Sequence, residues 1–62
     1  MTIKFQIKSG EIYFGYQNRR NNVCVATHDY HNGTVYSREV PREFEMRRVL
    51  WIERSVQEPQ DD

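Results

Sequence analysis

The chain has 62 residues and a mass of 7.5 kDa, enough for one small domain. It is 37% hydrophobic, 13% aromatic and 29% charged, with a formal net charge of zero. A chain this short buries only about 60% of the surface its unfolded form exposes, which excludes a large enzyme scaffold with a deep pocket and favours support from a protein partner or a second copy.

The first predicted element alternates Ile3, Phe5 and Ile7 with Lys4, Gln6 and Lys8, the period of a half-buried strand. Ser9-Gly10 is a turn signal. The second run sets Ile12, Phe14 and Tyr16 against Tyr13, Gly15 and Gln17, and its pattern predicts that Tyr13 faces outward. Gly15 inside a strand predicts a bulge or a close backbone approach. Asn18 to Asn22 is polar and turn-rich. The third run, Val23 to Tyr30, puts Val23, Val25 and Thr27 on one face and Cys24, Ala26, His28 and Tyr30 on the other. Asn32-Gly33 then predicts a tight hairpin, because a type I′ turn needs positive φ at both central residues. The fourth run, Val35 to Val40, ends at Pro41.

Residues 42–54 read in two ways. As a helix, Glu43 and Glu45 suit its positive end and Met46, Val49 and Leu50 lie near one stripe. As strand, Phe44 and Met46 form a short piece, Arg47-Arg48 interrupts it, and Val49 to Ile52 closes the sheet. The β-branched and aromatic content of that last stretch favours strand. The expected fold is all-β, a small antiparallel SH3-like barrel of about five strands over residues 1–54. Residues 55–62 follow as a disordered acidic tail. The alternative is a four-stranded sheet with a C-terminal helix.

The charge is uneven. Residues 1–54 carry all nine basic side chains and six of the nine acids, a balance of +3, while Glu58, Asp61 and Asp62 give 55–62 a balance of −3. The pI of 6.7 leaves no strong footprint for nucleic acid. No apolar run reaches the roughly 18–20 residues of a membrane span. The first residues, alternating apolar and polar, do not read as a signal peptide. Cys24 is the single cysteine, which fits a reducing, cytoplasmic setting.

Chemistry-bearing motifs are few. Cys24, His28, Asp29 and His31 form the one cluster of metal-ligand types, but a structural zinc site wants four well-placed ligands, and Asp29 points away from the others on a strand. Cys24 with His28 could pair a nucleophile and a base, yet nothing nearby supplies an orienting group. The expectation is no enzyme, no metal and no cofactor. Aromatic and arginine side chains stand out instead. Tyr13, Tyr36, Arg38, Arg47, Arg48 and Trp51 are the residue types of interface hot spots and of stacking platforms for single-stranded nucleic acid. The simpler reading is that some of these aromatics complete the core.

Arg42-Glu43-Phe44-Glu45-Met46-Arg47-Arg48-Val49-Leu50-Trp51-Ile52-Glu53 resembles the closing motif of WYL domains, and Ile12 to Arg19 is similar to that family's first strand. The resemblance implies an SH3-like or Sm-like barrel that senses a ligand or nucleic acid, often in bacterial and phage-defence regulators, with Arg48 as its pocket arginine. The chain departs from the pattern. It lacks the Trp-Tyr-Leu tripeptide, carries Arg47 where the family has an acid, and shows no helix-turn-helix pattern. The function expected is a non-enzymatic protein-binding module that docks a protein or a second copy as a homodimer. It would suit a phage or mobile-element accessory protein that inhibits or modulates a host protein. A regulatory nucleic-acid-binding barrel is the alternative, and no membrane partner is expected.

Overall fold

The computed structural model describes residues 2–54, so the acidic segment 55–62 lies outside the described residues. Five strands run in the order β1 (Ile3–Ile7), β2 (Ile12–Asn18), β3 (Val23–His31), β4 (Thr34–Glu45) and β5 (Val49–Glu53). A single 3-10 turn, Met46–Arg48, joins the last two. They form one antiparallel sheet with spatial order β4-β3-β2-β1-β5. Residues 42–54 are therefore strand on both sides of a short turn, and the helical alternative is excluded. The fourth strand does not stop at Pro41 but runs to Glu45. Asn32 and Gly33 both have positive φ, 50° and 81°, as the hairpin signal requires.

No ladder joins β4 to β5 among the described residues, so the sheet is open rather than a closed barrel. It is nonetheless strongly curled. In a flat sheet β4 and β1, three strand spacings apart, would be separated by about 14 Å. Here Phe44 of β4 lies 6.0 Å from Phe5 of β1, ring centroid to centroid. Tyr13 completes the triangle, 4.9 Å from Phe44 and 5.7 Å from Phe5. Ile3, Ile7, Cys24 and Ala26 fill the rest of this concave core, with Met46, Val49 and Ile52 packed against it. The 3-10 turn spans the concavity. The Met46 amide donates to the Asn22 carbonyl, and the Lys8 amide donates to the Arg48 carbonyl.

Two register shifts set which side chains face in. Opposite β2, the ladder steps from Phe14↔His28 to Gly15↔Ala26, leaving Thr27 as an extra residue on β3. Opposite β4, it steps from His28↔Ser37 to Ala26↔Arg42, so residues 38–41 face only Thr27. The Thr27 hydroxyl donates to the Phe14 carbonyl at 3.4 Å. Cys24 and Ala26 thus face the core, whereas His28 and Tyr30 lie on the convex face with Phe14 and Lys4. The predicted shared face of Cys24, Ala26, His28 and Tyr30 is broken at this bulge.

The expected facing of β2 is also reversed. Tyr13 pairs directly with Phe5 and is 6% exposed, while Ile12 and Phe14 pair with Gln6 and Lys4 on the convex side. Ring size and alternation gave no way to choose between the two faces, since both carry aromatics. Gly15 is where the backbones come closest. A Cβ there would sit 1.8 Å from the Val25 carbonyl oxygen and 2.8 Å from its carbon. Both are main-chain atoms of a neighbouring strand and cannot swing aside. Gly15→Ala is therefore expected to cost about 3 kcal/mol or more, a large share of a small domain's stability, or to prevent folding. Urea unfolding of the variant against wild type checks this.

Candidate functional site

The convex face carries two rows of side chains across the sheet. One runs Trp51, Gln6, Ile12, Tyr30 and Val35, through successive direct pairs. The next runs Glu53, Lys4, Phe14, His28 and Ser37. Phe14 and Tyr30 meet edge to face at 5.7 Å, and the Lys4 ammonium lies 4.7 Å from the Tyr30 ring centroid. That packing buries Phe14 and holds Tyr30 in place.

The first row ends in an exposed apolar knob. On β5 the register jumps from Gln6↔Trp51 to Ile7↔Val49, so Leu50 is a bulge residue without a partner on β1. Val49 and Ile52 turn toward the core. Leu50 and Trp51 remain side by side in solvent, 54% and 40% exposed. The indole is fixed nonetheless. Trp51 Nε1 donates to Gln6 Oε1 at 2.7 Å, and Gln6 Nε2 donates to the Gly10 carbonyl at 2.9 Å. An exposed ring held by a two-bond chain has already lost much of the freedom that binding would otherwise remove.

The six side chains singled out from the sequence do not form one platform. Tyr13 is in the core. Tyr36 is exposed on β4 and Trp51 on β5, at opposite edges of the sheet. Arg38 is engaged with Asp29, its Nη1 donating to both carboxylate oxygens at 2.8 and 3.0 Å. Arg47 pairs with Glu45 at 2.8 Å in solvent, a contact worth little. Arg48 lies over the Phe44 ring, 5.5 Å from its centroid, and Arg42 shares that ring at 4.6 Å. Leu50, Gln6 and Arg42 escaped the sequence reading. Gln6 was legible as an outward position, but nothing in the chain marks it as the indole's acceptor.

The thiol and histidine chemistry does not assemble. Cys24 faces the core and His28 the convex side, and no group of three or more His, Cys, Asp or Glu is placed to hold a metal among the described residues. Burial pushes the Cys24 thiol above its ordinary range, with the Arg54 charge pulling slightly the other way. Its Sγ lies 3.4 Å from Met46 Sδ. No helix among the described residues is long and apolar enough to cross a membrane. No protein-family model, curated protein or solved structure matches the chain.

Tyr13 carries the clearest titration signature. Burial pushes its phenol up to about 12, and the hydrogen bond it donates to Glu11 Oε2 at 2.8 Å and that carboxylate's charge add to the shift. A pKa raised by folding means the native state keeps its proton when the unfolded chain has lost it. Stability from this group is therefore complete below pH 10 and is lost as pH rises from about 10 to 12. The loss is expected to be on the order of 2 kcal/mol, and Tyr13→Phe should flatten it, as measured by urea unfolding across that range.

Proposed function

We propose that this chain is a non-enzymatic docking module that binds a protein surface through Leu50 and Trp51. The observation that supports it is the exposed Leu50–Trp51 knob, with its indole pre-oriented through Gln6 and Gly10. Tryptophan is the residue most enriched at interface hot spots, and a rigid ring loses little entropy on docking. Gln6 supplies a polar rim on the neighbouring strand. Binding works through side chains rather than by added strands. The bulge at Leu50 breaks the regular hydrogen-bonding edge of β5, and β4 carries Pro41 and a run of charged residues. Such a module acts by occupying its partner's surface, whether that partner is another protein or a second copy, and so modulates or inhibits it.

A nucleic-acid platform has less support, because Tyr13 is buried, Arg38 holds the Asp29 carboxylate, and Tyr36 and Trp51 lie at opposite edges of the sheet. A photo-crosslinking residue at position 50, with a second at exposed Glu39 as control, tests the docking reading. Protein crosslinks specific to position 50 are expected, and sedimentation across a concentration range separates self-association from a distinct partner. Trp51→Ala should weaken the captured interaction about thirtyfold or more, while changing fold stability by about 1 kcal/mol or less. Equal crosslinking at the two positions, with a monomer at every concentration, would overturn the proposal.

A further inference from the structure

A pair of sulfur atoms lies on the concave side of the sheet, opposite to the knob. Cys24 of β3 and Gln17 of β2 are direct cross-strand partners, so their side chains share that face. The 3-10 turn lays Met46 against both. Cys24 Sγ is 3.4 Å from Met46 Sδ, and Gln17 Nε2 donates to the same thioether at 3.7 Å. These are weak partnerships, since a thioether is a poor acceptor. Cys24 is a fully buried free thiol. The other end of the Gln17 amide, Oε1, is buried and accepts no hydrogen bond. A buried amide acceptor without a donor is costly and rare in folded proteins. Three side chains with lone pairs to offer thus converge, and none of them has a strong partner for those lone pairs.

Thiolate and thioether sulfur are soft donors, which suit copper(I) or zinc rather than calcium or magnesium. Charge and ligand number decide between those two. A thiolate with a monovalent cation is neutral overall and can sit in an apolar core. Zinc(II) would leave a net positive charge buried there, and it wants four ligands. We infer that Cys24 and Met46 form a copper(I) site, with Gln17 Oε1, after a half-turn of its amide, as a weak third ligand. The half-turn gives up only the bond to the thioether. Binding exchanges the thiol proton for the metal, the proton leaves to solvent, and no atom changes oxidation state. Metal–sulfur bonds of about 2.3 Å set two sulfurs up to about 4.6 Å apart, so one of them draws back by about an ångström. Met46 can do this, being unbranched and partly exposed, and its exposure gives the ion a way in. The site is independent of the Leu50–Trp51 knob and goes beyond the docking function. It would fasten the 3-10 turn onto β3 through a metal.

Anaerobic titration of the reduced full chain with copper(I) in acetonitrile, read by native mass spectrometry and by thiolate-to-copper absorption in the ultraviolet, tests the inference. One copper per monomer is expected, with a rise in melting temperature. The Met46 ε-methyl NMR signal should shift saturably as the metal binds. Met46→Leu nearly conserves volume, so the variant should fold. In competition with a bicinchoninate chelator it should hold copper on the order of tenfold more weakly or worse. Cys24→Ala should abolish the absorption band, and zinc(II) should bind at least about tenfold more weakly than copper(I). Equal copper affinity in Met46→Leu and wild type would reduce the site to a bare thiol and overturn the inference. So would an unmoved Met46 ε-methyl signal at saturation, which needs no variant. Copper found only in a dimer bridged by two Cys24 thiols, or no copper retained against the chelator, would overturn it as well.

Discussion

The close approach of β2 and β3 at Gly15 is the constraint on which the rest of the architecture depends. With no side chain at that position, the backbone of β3 can lie against β2 where a Cβ would overlap the Val25 carbonyl. Beside it, Thr27 drops out of register with both neighbours. That single extra residue turns β3 from presenting Cys24 and Ala26 inward to presenting His28 and Tyr30 outward. It also sharpens the local twist, as bulges do. The added curl brings Phe44 on one edge strand within reach of Phe5, and the aromatic triangle that follows is the centre of the core. A small all-β chain has too little length to wrap its core with more strands. It uses a sharper bend instead.

The same economy shapes the surface. The concave side has room for only a few buried rings, so further aromatics are placed on the convex side, where Phe14, Tyr30 and Lys4 form a cluster of their own. Both sides of the sheet therefore carry apolar weight, and only the concave one is closed over by the 3-10 turn. The edges are treated differently. Irregular backbone on β5 and the proline and charges of β4 discourage pairing with another sheet. Leu50 and Trp51 are exposed next to each other on β5, while Tyr36 and Val40 on β4 and Tyr16 on β2 are exposed elsewhere on the sheet.

Much of the strand plan was legible in the sequence, because period-two alternation and turn chemistry are local. Ile3 to Ile7, the Asn32-Gly33 hairpin and the special status of Gly15 follow from residue types alone. Facing was not legible where it depends on a partner strand. Tyr13 and Phe14 are both large aromatics on one strand, and only the pairing of Tyr13 with Phe5 decides which of them enters the core. The bulge at Thr27 carries no sequence mark, so it inverted the expected grouping of Cys24 with His28. The surface features were harder still. Nothing in the sequence marks that Asp29, nine positions earlier on the adjacent strand, holds Arg38. Trp51 stood out by residue type, yet the acceptor that orients it lies 45 positions away.

Residues 38–41 face one residue of β3 and nothing else across that ladder, so the chain leaves the sheet and returns to it over four positions. Within this excursion, Arg38 Nε donates to the Val40 carbonyl at 3.2 Å and its Nη1 ties it to Asp29. The excursion's two ends are held by the ladder pairs His28↔Ser37 and Ala26↔Arg42, whatever lies between them. Lengthening a loop whose ends are already fixed is cheap, about 0.6 kcal/mol for each doubling. The excursion is consequently the part of this fold most open to growth. Added segments can accumulate at its tip while the aromatic core, the 3-10 turn and the β5 knob keep their positions.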